Sequence, residues 1–122
     1  VRERLVGAPP FSPDLVCFLK SLRDCKLAVV SSSRRIEVEP SLVAGGIRSL
    51  FGAVVCGEDV ERHKPAPDPY LLAARLLAVK RVLVVEDSEA GVESAEAAGL
   101  DAVRVSHASE TPGVVRARLW GG

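Results

Sequence analysis

The stretch from residue 81 to residue 105 constrains the fold more than any other part of the chain. An apolar run at residues 82–85 ends in two adjacent carboxylates, Glu86 and Asp87. Such a run predicts a parallel strand that is covered on both faces. A helical pattern and a second apolar run, residues 100–105, follow it. This βαβ unit predicts a ligand site beyond the carboxyl ends of its strands, where both carboxylates are expected.

The helix of this unit has a clear start and a clear end. Ser88 is placed to cap it, and Gly99 is placed to stop it. Val92 and Ala95 are predicted to face the sheet. The solvent side is predicted to carry three glutamates: Glu89, Glu93 and Glu96.

The rest of the chain continues the alternation of strands and helices. Further strands are predicted at residues 27–30 and 53–56, with a short helical turn between residues 46 and 51. Other helices are predicted at residues 12–24, 34–45, 68–77 and 114–120. This rhythm predicts an α/β fold in three layers around a parallel sheet. Residues 1–10 are predicted to be a linker and residues 11–122 one domain.

Two of these helices have a defined inner face. Ser12 and Pro13 mark the start of the first helix. Its predicted inner face is Leu15, Phe18, Leu19 and Leu22. Asp68 is predicted to cap a later helix, with Pro69 at its first position. The predicted inner face of that helix is Tyr70, Leu71, Ala74 and Leu77.

Composition excludes several classes of function. The 122 residues carry no net formal charge, so no overall attraction to nucleic acid or to an anionic membrane is expected. No apolar run approaches the roughly 20 residues that span a bilayer, and no signal peptide opens the chain, which predicts a cytoplasmic protein. Cys17, Cys25 and Cys56 lack metal-type spacing and are predicted to be reduced and packed as small hydrophobes. The sequence begins with Val and contains no methionine, which suggests missing upstream residues or a cut piece.

Polar residues follow the predicted strands where a ligand is expected. Ser31 follows one strand, Lys64 lies in the loop before a helix, and Glu86 and Asp87 follow another strand. A hydroxyl with backbone amides suits a phosphate oxygen, and a lysine supplies positive charge. Paired carboxylates suit a hard cation such as Mg²⁺. Together they predict a site for a phosphate monoester and a metal.

Each feature also has an ordinary structural interpretation when it is taken alone. The three serines at residues 31–33 suit turns and caps, and Lys64 suits a solvated loop. Glu86 and Asp87 suit a strand-to-helix turn. His63 is interpreted as an exposed loop residue, and Arg34 as a helix-start residue within reach of a phosphate.

Three motifs resemble those of the haloacid dehalogenase-like hydrolases, in the branch of phosphoglycolate phosphatases and β-phosphoglucomutases. L-A-V-V-S-S-S at residues 27–33 resembles the second motif of the family, and H-K-P-A-P-D-P-Y at residues 63–70 the third. V-L-V-V-E-D-S-E-A-G-V at residues 82–92 resembles the fourth. The resemblance covers residues 12–105 and implies the Rossmann-like core of this family.

The resemblance also implies roles for individual residues. Ser31, with the Ser32 amide, would bind the transferring phosphoryl group. Lys64 would neutralise that group and orient the nucleophile. Asp87, assisted by Glu86, would hold Mg²⁺. An aspartate would attack phosphorus, and water would then release phosphate from the aspartyl phosphate.

One family motif is absent from this sequence. No strand ends in D-x-D, so the nucleophilic aspartate and the cap domain of the family would precede Val1, and residues 1–10 resemble the return from that cap. In the family this strand lies between those of the second and fourth motifs. Its absence predicts little turnover and leaves two strand edges to pair with each other, with a rearranged terminus, with an N-terminal segment, or in a homodimer.

Three hypotheses follow. The first is the core of a Mg²⁺-dependent phosphatase or phosphomutase that acts on a small phosphorylated metabolite. The second is a non-catalytic pseudoenzyme or interaction module that keeps a phosphate and metal pocket. The third is a response-regulator receiver domain, which the order Ser31, Lys64, Glu86–Asp87 disfavours because receiver domains have the acids first and the lysine last.

Overall fold

The computed structural model describes residues 13–22 and 24–119, and helices and strands alternate along these ranges. The helices are α1 (Pro13–Ser21), α2 (Arg35–Ala44), α3 (Asp68–Leu77), α4 (Glu89–Ala97) and α5 (Thr111–Leu119). The strands are β1 (Leu27–Val30), β2 (Phe51–Val55), β3 (Leu83–Glu86) and β4 (Asp101–Arg104). The predicted linker at residues 1–10 and the predicted cap Ser12 lie outside the described residues.

The strands form two parallel pairs rather than one continuous sheet. Strand β1 pairs with β2, from Leu27 opposite Phe51 to Val30 opposite Val55. Strand β3 pairs with β4, from Leu83 opposite Asp101 to Glu86 opposite Arg104. In the part of the chain that the structure describes, no ladder joins β1 to β3. The predicted parallel pairing is therefore confirmed, in two separate sheets.

Two apolar clusters place the sheets between two layers of helices. On one face Val29 of β1 and Val85 of β3 pack with side chains of α1, α2 and α5. On the other face Val30 and Val84 pack with side chains of α3 and α4. Both strand pairs thus share the same two helical layers, and the predicted three-layer α/β architecture is confirmed.

The βαβ unit and the first helix agree with their predicted patterns. Ser88 caps α4, Ala95 is buried, and Gly99 follows the helix with φ +79°. The four predicted apolar positions of α1 are all buried: Leu15, Phe18, Leu19 and Leu22. The helix ends at Ser21, earlier than predicted, and the Ser21 hydroxyl donates to the carbonyl of Phe18 at 2.6 Å.

Helix α3 differs from its prediction at both its cap and its inner face. Pro67 occupies the cap position, and Asp68 is the first helical residue, accepting a hydrogen bond from Arg62 at 3.3 Å. Leu71 is 50 % exposed. The buried face is instead Pro69, Tyr70, Ala73 and Leu77. Because consecutive helical residues are about 100° apart, burial of Tyr70 turns Leu71 toward solvent.

Other predictions need smaller corrections. Strand β2 begins at Phe51, two residues before its predicted start, and α5 begins at Thr111 rather than at residue 114. Trp120 lies outside the described residues. All three cysteines are free thiols, and Cys56 is buried, but Cys17 is exposed and so is not packed as a small hydrophobe. None of the helices in the described ranges has the length and apolar character needed to cross a bilayer.

An apolar cavity of about 380 Å³ opens between the two strand pairs. We call it the intersheet groove. Its lining includes Leu27 of β1, Leu83 and Val85 of β3, Phe18 of α1 and Val115 of α5. The hydroxyl of Thr111, which also lines the groove, is buried and has no hydrogen-bond partner among the described residues.

Candidate active site

The fourth predicted motif forms a tight strand-to-helix turn at the carboxyl edge of β3. Glu86 is the last strand residue, and Asp87 and Ser88 form the turn. The Ser88 hydroxyl accepts a hydrogen bond from the Gly91 amide at 3.0 Å, which caps α4 as predicted. Asp87 is partly exposed at this edge.

Glu86 is completely buried, and both oxygens of its carboxylate accept hydrogen bonds. Oε1 accepts from the Asp87 amide at 3.0 Å and from the amide and the hydroxyl of Ser88, both at 3.3 Å. Oε2 accepts from the Lys64 ammonium at 2.9 Å and from the Tyr70 hydroxyl at 2.6 Å. A buried carboxylate is costly unless it is paired, and here five donors meet that requirement.

The electrostatics of Glu86 follow from these contacts. Burial by itself would raise the pKa of Glu86, because it disfavours the charged form. The charge of Lys64 and the hydrogen bonds from Tyr70, Lys64 and Asp87 outweigh burial and lower the pKa from 4.5 to about 2. Glu86 is therefore an anion at neutral pH and balances the buried charge of Lys64.

Lys64 connects the two strand pairs at their carboxyl edges. Its ammonium donates to Glu86 at the end of β3 and, at 3.4 Å, to the carbonyl of Val30 at the end of β1. The Lys64 side chain is only 5 % exposed, and the ammonium lies 5.3 Å from the centre of the Tyr70 ring. The structure thus brings together the third and fourth motifs and the strand that leads to Ser31.

Gly91 has a role that sequence reasoning missed. A Cβ atom at this position would lie 2.0 Å from the Glu86 side chain, so only glycine leaves room for the carboxylate beneath α4. Tyr70 was predicted to face inward, but its hydroxyl bond to Glu86 was also missed. A buried tyrosine hydroxyl generally needs a partner, and that requirement was the available signal.

The serines after β1 form a compact turn. Ser31 is buried, its amide donates to the carbonyl of Val55, and its hydroxyl accepts from the Ser33 amide at 3.0 Å. The Ser31 hydroxyl thus supports its own turn, in agreement with the ordinary structural interpretation. Ser32 is exposed at this edge. Arg34 is 75 % exposed and pairs with Glu37 at 3.4 Å, outside the Lys64–Glu86 cluster.

A second loop closes against this turn and ends at Lys64. The Gly57 amide donates to the Ser33 carbonyl at 2.8 Å, and a Cβ at Gly57 would lie 2.5 Å from the Ser32 carbonyl oxygen. Glycine is therefore required for this close approach. His63, which is exposed as predicted, places Nε2 2.8 Å from the Gly57 carbonyl oxygen.

Arg35 ties the same two segments together. Its amide donates to Glu58 at 2.8 Å, and its guanidinium donates to Asp59 and to Glu39. Arg48 donates to Glu39 at 2.5 Å from the other side. The contacts of Arg35 with Glu58 and Asp59 hold the start of α2 against the loop that leads to Lys64, whereas the Arg48–Glu39 pair joins α2 to the turn before β2. Periodicity in the sequence does not predict these ion pairs.

A family model described as haloacid dehalogenase-like hydrolase matches residues 8–105. The chain belongs to this family. The resemblance of its second, third and fourth motifs is therefore confirmed at the level of the family.

Individual relatives of this haloacid dehalogenase-like chain are phosphatases by name. It is 42 % identical over 81 residues to the fructose-1-phosphate phosphatase YqaB of Escherichia coli, covering 65 % of this chain and 43 % of that protein. It is 38 % identical over 105 residues to a phosphorylated carbohydrates phosphatase of Thermotoga maritima, covering 84 % of this chain and 48 % of that protein. The chain thus spans less than half the length of either relative.

A solved structure agrees with the fold. A protein of Thermotoga maritima assigned as a β-phosphoglucomutase superposes with a TM-score of 0.76 at 28 % identity, over 92 % of this chain and 61 % of that one. The three-layer haloacid dehalogenase-like core is therefore shown by sequence and by structure.

The donor atoms at the carboxyl edge decide how a cation would fit. Asp87, partly exposed beside the strand end, offers the hard carboxylate oxygen that Mg²⁺ prefers. Glu86 has both oxygens occupied by donors. Among the described residues no three His, Cys, Asp or Glu side chains come together as a metal site. Asp87 therefore fits as one ligand of a cation, and Glu86 as a second ligand stays a prediction.

Proposed function

We propose that the protein containing this chain is a Mg²⁺-dependent phosphatase or phosphomutase that acts on small phosphate monoesters. The observation that carries this proposal is the position of Lys64, whose ammonium joins the carboxyl ends of β1 and β3. A buried, fixed cation at this edge suits the charge that develops on a transferring phosphoryl group. The family assignment supports the same class of reaction.

Several residues of this chain would bind the phosphoryl group or the cation. Lys64 would neutralise the phosphoryl group, and the turn at Ser31 and Ser32 would supply a hydroxyl and an amide for its oxygens, with Arg34 at the outer side. Asp87 would hold Mg²⁺, which supplies further charge neutralisation when it is bound. The substrate would be a small phosphorylated metabolite, and the relatives named for phosphorylated sugars favour a carbohydrate phosphate.

The nucleophile would come from a segment outside these 122 residues. No D-x-D occurs in these residues, so we propose that they release little or no phosphate by themselves. A strand that carries the aspartate would lie between β1 and β3, where no ladder joins the described strands and the intersheet groove opens. An N-terminal segment fits this role better than a homodimer, because the reaction requires an aspartate at that position.

The test compares this chain with the longest protein that its own transcript encodes. Release of phosphate from p-nitrophenyl phosphate and from sugar phosphates is measured with and without Mg²⁺. We expect turnover by the longer protein only, and a loss of about 100-fold or more in kcat for its Lys64→Ala variant. Arg62→Ala, which removes an exposed charge near Lys64, is the matched control. Full activity in Lys64→Ala, or no release from any monoester, would contradict the proposal.

A further inference from the structure

Three buried groups meet at one oxygen of Glu86. The Tyr70 hydroxyl donates to Oε2 at 2.6 Å, and the Lys64 ammonium donates to the same atom at 2.9 Å. Tyr70 is 2 % exposed, and the side chains of Lys64 and Glu86 are 5 % and 0 % exposed. The ring of Tyr70 also lies 5.3 Å from the ammonium, within the range of a cation–π contact. Tyr70 therefore contacts both members of the ion pair.

The other carboxylate oxygen of Glu86 also accepts several hydrogen bonds. Oε1 accepts from two amides of the turn and from the Ser88 hydroxyl. A carboxylate offers about four lone-pair sites, so five donors leave none for a cation. On the side of α4 the space beside the carboxylate is also closed, because even a Cβ on Gly91 would lie 2.0 Å from it. A metal could reach Glu86 only by displacing one of these five donors, and at Oε2 that donor is Lys64 or Tyr70.

We infer that Tyr70 is a positioning residue, which holds Glu86 as the anchor of Lys64 and keeps that carboxylate out of the metal's ligand set. This inference rests on the proposed function, and it assigns Asp87 alone of the carboxylate pair to the cation. The hydroxyl of Tyr70 fixes the direction of Oε2, and the ring beneath the ammonium restricts where Lys64 points. Lys64 is thereby held at the junction of β1 and β3 before any substrate binds.

The experiment measures Lys64 and the metal separately. The 122-residue chain is labelled with ¹⁵N-lysine, and the exchange of the Lys64 ammonium protons with water is followed by NMR. Mg²⁺ binding is measured by titration calorimetry on the longer protein that the transcript encodes and on the same variants of it. The variants are Tyr70→Phe, which keeps the ring and removes the hydroxyl, and Glu86→Gln. Thr111→Val is the matched control, because it removes a buried hydroxyl outside the cluster.

In Tyr70→Phe we expect exchange of the Lys64 ammonium to accelerate by about 10-fold, because one charge-assisted hydrogen bond to its anchor is lost. The control should exchange at the rate of the parent chain. In Glu86→Gln the slow Lys64 signal should disappear, while the Kd for Mg²⁺ changes by less than about 3-fold, because no ligand has been removed. A merely structural tyrosine would leave the Lys64 exchange rate unchanged.

Two results would overturn the inference. One is a Tyr70→Phe variant in which Lys64 exchanges within about 2-fold of the parent rate. The other is a Glu86→Gln variant that folds and binds Mg²⁺ at least about 10-fold more weakly, which would make Glu86 a ligand. If the longer protein binds no Mg²⁺, the metal part of the proposed function fails, and the assignment of Asp87 to the cation fails with it. The Lys64 exchange rates then still decide the role of Tyr70.

Discussion

The carboxyl edge of the strands and the intersheet groove lie at the same junction between β1 and β3, yet they differ in how completely this chain fills them. At the edge, one buried carboxylate receives five hydrogen bonds and a buried lysine joins both strand ends. In the groove, an apolar cavity of about 380 Å³ remains, and a buried threonine hydroxyl has no partner among the described residues. The polar site is therefore organised by contacts within the chain, whereas the core beneath it is not filled by the described residues.

The residues that form the edge are closer together in sequence than those that line the groove, which run from Phe18 to Val115. The turn from Glu86 to Ser88 also caps α4. Lys64 lies in the loop just before α3, and Tyr70 lies in the first turn of that helix. The groove lies between strands that are far apart in sequence, and no ladder joins β1 to β3 in the part of the chain that the structure describes. The polar contacts of the edge, including those of Lys64 with Val30 and Glu86, thus form although no ladder joins the two described strand pairs.

The largest expected effect comes from closing the space around Glu86. Gly91→Ala would place a Cβ 2.0 Å from the carboxylate and force it away from Lys64. Because a buried charge without its partner is costly, we expect the free energy of unfolding to fall by about 3–5 kcal/mol. Urea unfolding followed by circular dichroism measures this change.

Gly113→Ala is the matched control for this variant. Gly113 also lies in a helix, but a Cβ there would meet nothing within 4 Å. We expect this substitution to be neutral or to stabilise the chain by up to about 1 kcal/mol, because alanine favours the helix. Equal losses in the two variants would mean that helix context, not the Glu86 cluster, determines the effect.

Low pH should weaken the Glu86–Lys64 ion pair at the carboxyl edge before it affects the apolar groove. The pKa of Glu86 is lowered on folding, from 4.5 to about 2, so its stabilising contribution is present above pH 4.5. That contribution is lost as the pH falls from about 4.5 toward 2 and amounts to about 3 kcal/mol. The test is the free energy of unfolding in urea at several pH values, with the Glu86 carboxyl followed by ¹³C NMR.

Glu39 provides the control for this pH dependence. Its pKa is also lowered, chiefly by the hydrogen bond from Arg48, but its side chain is 30 % exposed, so solvent screens the pair. Glu39→Gln should therefore retain most of the loss of stability between pH 4.5 and 2. If this variant removes the pH dependence, surface ion pairs rather than Glu86 account for it.

The strands and helices of both regions were predicted from the sequence. The side-chain contacts that complete the edge, and the cavity that remains in the groove, were not. Periodicity and caps located β1, β3 and α4, because each is encoded by a short apolar run or by a capping residue such as Ser88. The same local signals cannot show that Gly91 faces a carboxylate or that the Tyr70 hydroxyl reaches Glu86. Those contacts depend on how α3 and α4 pack. For the same reason the prediction placed Leu71 on the inner face of α3, although this side chain is exposed.

Two buried hydroxyls offer a finer comparison of the regions. On the edge side, the Ser94 hydroxyl donates to the Ala66 carbonyl at 2.6 Å and fastens α4 to the loop after Lys64. Ser94→Ala should lower the free energy of unfolding by about 1–2 kcal/mol, because it leaves that carbonyl without its donor. In the groove, Thr111→Val replaces by a methyl group a hydroxyl that has no partner among the described residues. This substitution should raise the free energy of unfolding by about 1 kcal/mol. A loss of stability in Thr111→Val would show that this hydroxyl has a partner outside the described residues.

The smallest expected effect is a difference in the labelling rates of the three cysteines, and its test needs no substitution. Cys25 lines the groove and is partly exposed, whereas Cys56 is buried at the end of β2, beside the ion pairs of Arg35. Burial raises the pKa of the Cys56 thiol to about 11, so only about one molecule in a thousand carries its thiolate at pH 8. With iodoacetamide on the folded chain, mass spectrometry should find Cys17 labelled first, Cys25 more slowly, and Cys56 only after urea is added. Early labelling of Cys56 would mean that the edge opens as readily as the groove, because a buried thiol reacts only when its surroundings unfold locally.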